Sequence, residues 1–133
     1  MRLKDKVILV GIKPYSELPD YYAAADVLAL PLRDTLFNRA RWPNKIGDHL
    51  AAGRPTVTNP VGDIQHLFTK HEIGLLARCD DAQDFAEQVV TLFEDPALAN
   101  RMGDRARQLA EKEYSWEKMT DQLEMFYSTI LAS

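Results

Sequence analysis

The sequence predicts an α/β fold: a Rossmann-like parallel sheet of about four strands with flanking helices and a helical C-terminal third. Three observations support this prediction. Short aliphatic runs alternate with segments of helical spacing over residues 6–80, and the strand pattern is absent from residues 81–131. The chain has 133 residues, of which 46% are hydrophobic, so it can bury one ordinary core. We therefore expect a single domain over residues 1–133.

The predicted strands are short runs of apolar or β-branched residues. Continuous runs of this kind indicate strands that are buried on both faces, as in a parallel sheet. Turn-forming or polar residues end each run. The runs are Val7–Val10, closed by Gly11; Val27–Leu30, closed by Pro31; Thr56–Thr58, followed by Asn-Pro; and Gly74–Ala77.

Helical segments separate the predicted strands. They are Ser16–Ala25, Asn44–Ala52 and a short turn over Ile64–Phe68. Because strands and helices alternate, we expect right-handed crossovers that place the helices on the faces of a parallel sheet.

Three more helices are predicted after the last strand. Asp81 and Asp95-Pro96 provide starts for the first two, and Ser115 caps the third. The third helix carries apolar residues at helical spacing, which predicts that one of its faces packs into the core. These residues are Trp116, Met119, Leu123, Phe126, Tyr127, Ile130 and Leu131.

The composition excludes several classes of function. A net charge of -4 gives no general attraction for a nucleic acid. The single cysteine, Cys79, cannot form an internal disulfide and makes no zinc pattern with three scattered histidines. No apolar run is long enough to span a bilayer. We therefore expect a cytoplasmic protein that does not span a membrane and binds no metal.

Positive charge is concentrated in the segment from Arg33 to Pro55, which contains five Arg or Lys residues and two acids. This segment follows the second predicted strand, and open α/β sheets bind ligands beyond the carboxyl ends of their strands. We expect an anion site here, with Arg39 and Arg41 as candidate cations. The alternative is a basic loop that is merely solvated.

The residues after Pro43 provide further candidate ligand groups. Asn44 and Lys45 would offer first-turn N–H groups to an anion, or Asn44 only caps the helix. Asp48 can accept hydrogen bonds from two vicinal hydroxyls, or it is an ordinary helix carboxylate. Gly62 follows the third predicted strand, where it allows a phosphate close to the backbone or only makes a turn.

Four blocks of the sequence carry a family resemblance. In order they are "LPDYYAAADVLALPL", "PNKIGDHLAAGRPTVTNPVGDIQHL", "GLL" and "YSWEKMTDQLEMFY". In order and spacing they resemble the C-terminal domain of GT-B fold retaining glycosyltransferases that use nucleotide-sugars. The resemblance covers nearly the whole chain and implies a Rossmann-like domain that binds the activated sugar.

The resemblance also implies roles for individual residues. The family has two glutamates separated by seven residues, of which the second contacts the ribose hydroxyls and the first contacts the donor sugar. Asp48 falls on the second position, whereas Ala40 falls on the first and has no carboxylate. Asn38, Arg39 and Arg41 are therefore candidates to replace part of the sugar contact.

Other positions match the family in part. Gly62 falls on the first glycine of the turn after the third strand, and Asp63 replaces the second glycine. Asn44 and Lys45 match a subgroup that reads Pro-x-Lys at the start of the helix. His66 falls where the family often has Glu, which makes it a further site candidate.

The resemblance implies that complete enzymes have an N-terminal domain that supplies the acceptor site, and we expect none of it within these 133 residues. We also expect these residues to lack two strand-helix units that would lie between Val7–Val10 and Val27–Leu30 in the sheet order 3-2-1-4-5-6. Either these two runs pair directly, or another copy covers the exposed sheet edge as a homodimer. We expect a partial domain that binds a nucleoside-diphosphate sugar and is inactive alone as a hexosyltransferase.

Two alternatives remain open at this point. The chain could be a non-catalytic α/β binding or interaction module that keeps the fold. A receiver-like domain is the weaker alternative, because the first predicted strand is not followed by the acidic pair that such a site needs. No Asp-x-Asp motif occurs, so the resemblance implies no metal cofactor.

Overall fold

The computed structural model describes residues 6–132, which contain a three-stranded parallel sheet. The strands are β1 (Leu28–Leu30), β2 (Thr56–Thr58) and β3 (Gly74–Leu76), in the order β1-β2-β3. The sheet register sets Ala29 of β1 and Leu75 of β3 on either side of Val57. The parallel sheet predicted from the sequence is confirmed.

Helices flank the sheet and form the C-terminal third. They are α1 (Leu18–Ala23), preceded by a 3-10 turn at Tyr15–Glu17, α2 (Leu36–Arg39), α3 (Lys45–Ala52), α4 (Asp63–His71), α5 (Ala82–Glu94), α6 (Pro96–Glu113) and α7 (Trp116–Leu131). The predicted caps of the last three helices are confirmed, because the side chains of Asp81, Asp95 and Ser115 each accept a first-turn N–H. The predicted turn at Ile64–Phe68 is a full helix, α4.

The core consists of two clusters of apolar side chains. Residues of α3, α4 and α6 form the larger cluster, with Ile46 and Ile64 almost fully buried. The smaller cluster joins β2 and α5 through Val57 and Leu92, which are also almost fully buried. Helix α6 contributes to both clusters, through Ala106 and Leu109 to the first and Met102 to the second.

Two glycines allow α3 and α6 to pack closely. A Cβ on Gly103 of α6 would lie 2.4 Å from the carbonyl oxygen of Gly53, which real side chains do not tolerate. Gly53 itself ends α3 in the left-handed region, with φ of 64°. Helix α6 is therefore held directly against the end of α3, which fixes one side of the core.

Asn59 joins the chain segments that follow the three strands. Its side-chain oxygen accepts the N–H of Leu32 at 2.8 Å, and its amide donates to the carbonyls of Ala77 at 2.9 Å and Arg78 at 3.0 Å. The side chain is only 4% exposed, so these bonds replace water. The carboxyl edge of the sheet is thus tied together by one amide.

The first predicted strand, Val7–Val10, is wrong. This segment has no regular secondary structure, and its side chains are between 48% and 91% exposed. A strand forms only where a neighbour accepts and donates its backbone hydrogen bonds. Within residues 6–132 β1 has β2 on one side and no strand on the other, so the first of the two expected alternatives, direct pairing of Val7–Val10 with Val27–Leu30, is wrong. The second alternative, an edge covered by another copy, stays a prediction. The described sheet has three strands, not about four.

The prediction that α7 packs into the core is also wrong. Its apolar side chains are exposed, from 50% at Met119 to 87% at Trp116. The helix contacts α6 but presents its apolar face to solvent. Helical spacing of apolar residues indicates an amphipathic helix, but it does not tell which surface covers that face.

We predict that Asn59→Ala destabilises the fold by about 3 kcal/mol, because it leaves a buried N–H and buried carbonyls without partners. Chemical denaturation at neutral pH measures this loss. Asn100→Ala is the matched control at an exposed position of α6 and should change the free energy of unfolding by less than about 0.5 kcal/mol. Equal stabilities of the two variants would contradict the role assigned to Asn59.

Candidate functional site

The carboxyl edge of the sheet carries most of the residues that the sequence singled out. The segment after β1 contains Arg39, Arg41 and the start of α3, and the segment after β2 contains Gly62. Parallel strands all end at this edge, so these segments leave the sheet side by side. The edge is the natural place to look for a ligand site.

The N-terminus of α3 is open. Asn44 precedes the helix with φ of -53° and ψ of -32°, and its side chain does not cap the helix. The N–H groups of Ile46 and Gly47 donate to Pro43 and Asn44. Within residues 6–132 no protein oxygen accepts the N–H groups of Asn44 and Lys45, and both residues are exposed. Two N–H donors at the positive end of the helix therefore face solvent, where they can donate hydrogen bonds to an anion.

The two arginines of this edge bind groups of their own loop. Arg39 forms a bidentate pair with Asp34, with N···O distances of 2.5 and 2.7 Å. This hydrogen-bonded pair holds the pKa of the Asp34 carboxyl below its usual value. Arg41 donates to the side chain of Asn38 at 2.9 Å and lies over the ring of Phe37. An anion would have to compete with Asp34 for Arg39, whereas Arg41 has only neutral partners.

Gly62 connects this loop to α4. It has φ of 56°, and a Cβ at this position would lie 2.7 Å from the carbonyl oxygen of Arg39. The glycine therefore allows a close approach of two backbone segments of the protein. The structure brings Gly62 and Arg39 together, next to the N-terminus of α4 at Asp63.

Asp48 lies apart from these groups, in a cavity of about 430 Å³ between α1 and α3. Tyr15, Tyr22 and Arg107 also line this cavity. Partial burial raises the pKa of Tyr22, and the nearby Asp48 carboxylate adds to the effect. Lys45 is not among the residues that line the cavity, so the structure does not bring Lys45 and Asp48 into one hollow.

The aromatic residues of this cavity were not predicted from the sequence. Tyr22 lies four residues after Leu18, so helical spacing could have placed both on one face of α1. Nothing in the sequence relates that face to Asp48 on α3. The contact between α1 and α3 is a property of the tertiary structure.

His66 lies in a different cavity, of about 340 Å³, at the side of α4. Trp42 and Tyr114 line it as well, and their rings stack with centroids 5.7 Å apart. None of the residues Arg39, Arg41, Asn44, Lys45 and Gly62 lines either cavity. The candidates thus form an open surface along the sheet edge, with Asp48 and His66 in separate hollows.

His49, the neighbour of Asp48 in sequence, is buried in the interior. It is 4% exposed, and its Nδ1 lies 3.2 Å from the hydroxyl of Thr56. The centroids of its ring and of the Tyr22 ring lie 5.5 Å apart in a T-shaped arrangement. Burial lowers the pKa of His49 from 6.5 to about 4, and the charge of Lys45 adds to this effect. His49 is therefore neutral at neutral pH and supports the helix that carries Asp48.

Residues 6–132 contain no group of three or more His, Cys, Asp or Glu side chains that could hold a metal ion. In the same residues, no helix has the length and apolar content needed to cross a membrane.

The family model described as "Glycosyl transferases group 1" matches residues 1–95 of the chain. Among curated proteins, the chain is 24% identical over 131 residues to N-acetyl-alpha-D-glucosaminyl L-malate synthase of Bacillus anthracis, covering 98% of this chain and 32% of that protein. It is 31% identical over 116 residues to D-inositol 3-phosphate glycosyltransferase of Corynebacterium efficiens, covering 87% and 26%. The chain spans about a third or less of the length of these relatives.

Solved structures with the same fold include much longer proteins. Sucrose-phosphate synthase of Thermosynechococcus elongatus superposes with a TM-score of 0.84 and 28% identity, covering 98% of this chain and 31% of that chain. Alr3699/HepE of Anabaena, solved in complex with UDP-glucose, superposes with a TM-score of 0.80 at 20% identity, covering 96% and 33%. The second likeness concerns the fold alone.

The burial of His49 predicts a loss of stability in mild acid. Its pKa is lower in the folded chain than in the unfolded chain, so the unfolded chain binds a proton first as the pH falls. The contribution of neutral His49 to the free energy of unfolding is fully present above about pH 6.5. It decreases by about 3 kcal/mol as the pH falls to about 4. Denaturation with urea at about pH 7, 6 and 5 follows this change.

His49→Asn keeps a polar group near Thr56 and removes the titration, so this variant should lose the part of the pH dependence between about pH 6.5 and 4. His66→Asn at an exposed position is the matched control and should keep it. The same pH dependence in both variants would show that His49 is not its source.

Proposed function

The chain belongs to the group 1 glycosyl transferases, and on this premise we propose that it binds the nucleoside-diphosphate sugar from which such an enzyme transfers a hexosyl group. The observation that carries the proposal is the position of Asp48. Its carboxylate lines a cavity on α3, the same helix whose first-turn N–H groups are open to an anion. One helix thus offers an acceptor for hydroxyls and donors for phosphate.

We assign the nucleoside to the cavity of Asp48. A carboxylate can accept hydrogen bonds from both hydroxyls of a ribose. Tyr15 and Tyr22 offer aromatic surface on which a base can pack. The volume of about 430 Å³ lies within the range of small-molecule sites.

We assign the diphosphate to the N-terminus of α3. Asn44 and Lys45 supply N–H groups, and the ammonium group of Lys45 and the guanidinium of Arg41 supply positive charge. Gly62 lies in the turn before α4, a second helix start at the same edge. Arg39 takes part only if the phosphate displaces Asp34 from it.

The sugar end of the donor has fewer partners in this chain. Ala40 offers no carboxylate, and His66 lines a separate cavity. Retaining transfer needs donor, acceptor and charge stabilisation in one geometry. We propose that polypeptide outside this chain, corresponding to the remaining two thirds of the relatives, supplies the acceptor site.

The proposal extends to the open sheet edge, the cofactor and the cellular compartment. The open edge of β1 is the surface on which further strands of the sheet would pair, and a homodimer through this edge is another way to cover it. No Asp-x-Asp motif occurs, so the proposal includes no metal and no cofactor besides the nucleotide-sugar. The single cysteine favours a reducing compartment, and we assign the chain to the cytoplasm.

A non-catalytic binding or interaction module is the second candidate function. The Arg39–Asp34 ion pair and the absence of a carboxylate at Ala40 favour it, because both weaken contacts to a donor. Binding of a nucleoside diphosphate distinguishes the two candidates.

Titration calorimetry with uridine and guanosine diphosphates tests the donor site. We expect saturable binding, and we expect Asp48→Ala to weaken it about tenfold to a hundredfold by removing hydrogen bonds to a charged acceptor. Asp26→Ala, an exposed acid before β1, is the matched control and should bind like the unmodified chain. No binding, or equal losses in the two variants, would refute the assignment of Asp48.

The isolated chain should show no sustained sugar transfer. The proposed site holds the sugar donor but not the acceptor. Binding of the donor alone does not lower the barrier to transfer. Incubation with uridine or guanosine diphosphate sugars and candidate acceptors, followed by detection of the free nucleoside diphosphate, measures turnover. Repeated turnover by the purified chain would disprove this expectation.

A further inference from the structure

The cavity of about 340 Å³ at the side of α4, which we call the α4 cavity, is separate from the proposed donor site. None of the residues assigned to the nucleotide lines it. Three segments form it: the loop before α3 with Trp42, helix α4, and the end of α6 with Glu113 and Tyr114. Its volume lies within the range of small-molecule sites, so it is large enough for a ligand that the proposed function does not use.

Trp42 and Tyr114 form a flat aromatic surface in the α4 cavity. Their rings are nearly parallel, with an interplanar angle of 9°. Tyr114 follows α6 and packs against the larger core cluster, whereas Trp42 is 37% exposed and belongs to neither cluster. The buried Pro43 directly after Trp42 restricts the backbone of that residue. The indole is thus held by stacking on Tyr114, and part of its surface is left for a ligand.

The polar side chains around this aromatic surface make no hydrogen bonds to protein. Within residues 6–132, no side-chain hydrogen bond or ion pair involves Asp63, His66, Lys70, His71 or Glu113. Burial raises the pKa of Tyr114, and the nearby carboxylates add to the effect, so its hydroxyl stays protonated at neutral pH. The cavity therefore offers both donors and acceptors to a ligand.

The charges of these groups favour a neutral ligand. Asp63 and Glu113 are negative and Lys70 is positive, so a phosphate finds no net attraction in the cavity. The ammonium group of Lys70 also opposes a cationic ligand. A hydroxyl both donates and accepts, so it can bond to carboxylates, imidazoles and an ammonium group alike. A sugar ring combines several hydroxyls with an apolar face of C–H groups that can pack on an indole.

We propose that the α4 cavity binds a neutral saccharide, with one sugar ring packed on the indole of Trp42 and its hydroxyls bonded to the polar side chains around it. The carboxylates of Asp63 and Glu113 accept hydrogen bonds from the hydroxyls, and Lys70 donates to them. This site goes beyond the proposed function, because the sugar of the donor is attached to a diphosphate that the cavity does not attract.

Fluorescence titration of the 133-residue chain with methyl α-D-glucopyranoside and with maltose tests the proposal. In a Trp116→Phe background, Trp42 is the single tryptophan, since the chain has two. We expect a saturable blue shift of its emission, because a sugar ring on the indole excludes water from it. Glycerol has hydroxyls but no ring face, and it should give no saturable shift at the same concentrations.

Calorimetry with the same two saccharides measures the effect of substitutions. Trp42→Ala removes the ring face and should weaken binding at least about tenfold, whereas Trp42→Phe keeps a ring and should weaken it less. Phe93→Ala removes an exposed ring outside the α4 cavity and should bind like the unmodified chain. Because Trp42 belongs to neither core cluster, the urea midpoint of Trp42→Ala should stay near that of the unmodified chain, which separates lost binding from lost folding.

Three outcomes would overturn the proposal. The first is the absence of a saturable response to either saccharide. The second is equal affinity of Trp42→Ala and Phe93→Ala, which would place the saccharide on another surface. The third is a response to tetramethylammonium in place of the saccharides that Asp63→Asn removes, which would identify a cation site. None of these measurements uses a nucleotide, so the proposed donor site stands or falls separately.

Discussion

The carboxyl edge of the sheet depends on one buried amide. Asn59 follows β2 and bonds to the backbone after β1, at Leu32, and after β3, at Ala77 and Arg78. Thr58 adds a bond from its hydroxyl to the carbonyl of Leu30. The loops that carry the candidate ligand groups all leave the sheet at this edge, so their relative positions follow from these bonds. A polar group inside the protein is costly unless all its bonds are made, which makes this network specific as well as stabilising.

Helix α3 connects this ordered sheet edge to the candidate site. Its buried side, with Ile46, His49 and Leu50, packs into the core, and its end lies against α6 at Gly53. The same helix holds Asp48 towards α1 and exposes its first-turn N–H groups at the sheet edge. A rigid element therefore carries both groups, whereas the arginines lie on a loop and bind loop partners. We infer that α3 supplies the geometry of binding and that the loop supplies charge.

Local patterns predicted the elements that find their packing or pairing partners within residues 6–132. The capped helices α5, α6 and α7 and the strands β2 and β3 were predicted from spacing and caps, and so was the carboxyl edge as the position of the candidate groups. The strand that was predicted at Val7–Val10 does not form, because a strand requires a neighbour and residues 6–132 provide none for this segment. The burial of α7 failed for the same reason. Asn59, Tyr15 and Tyr22 went unpredicted, since their roles arise from contacts between residues far apart in the sequence.

The wrong predictions for Val7–Val10 and for α7 have the same physical cause. Both Val7–Val10 and α7 have patterns that suit burial, and both are exposed in a chain about a third as long as its relatives. Apolar patterning records the surface with which a segment packs, whether or not that surface belongs to the same chain. The β1 edge and the α7 face therefore have patterns that suit packing against further polypeptide, and the N-terminus of α3 exposes the N–H groups that we propose as an anion site. These surfaces belong to different elements, so packing at one need not change the N–H groups at the other.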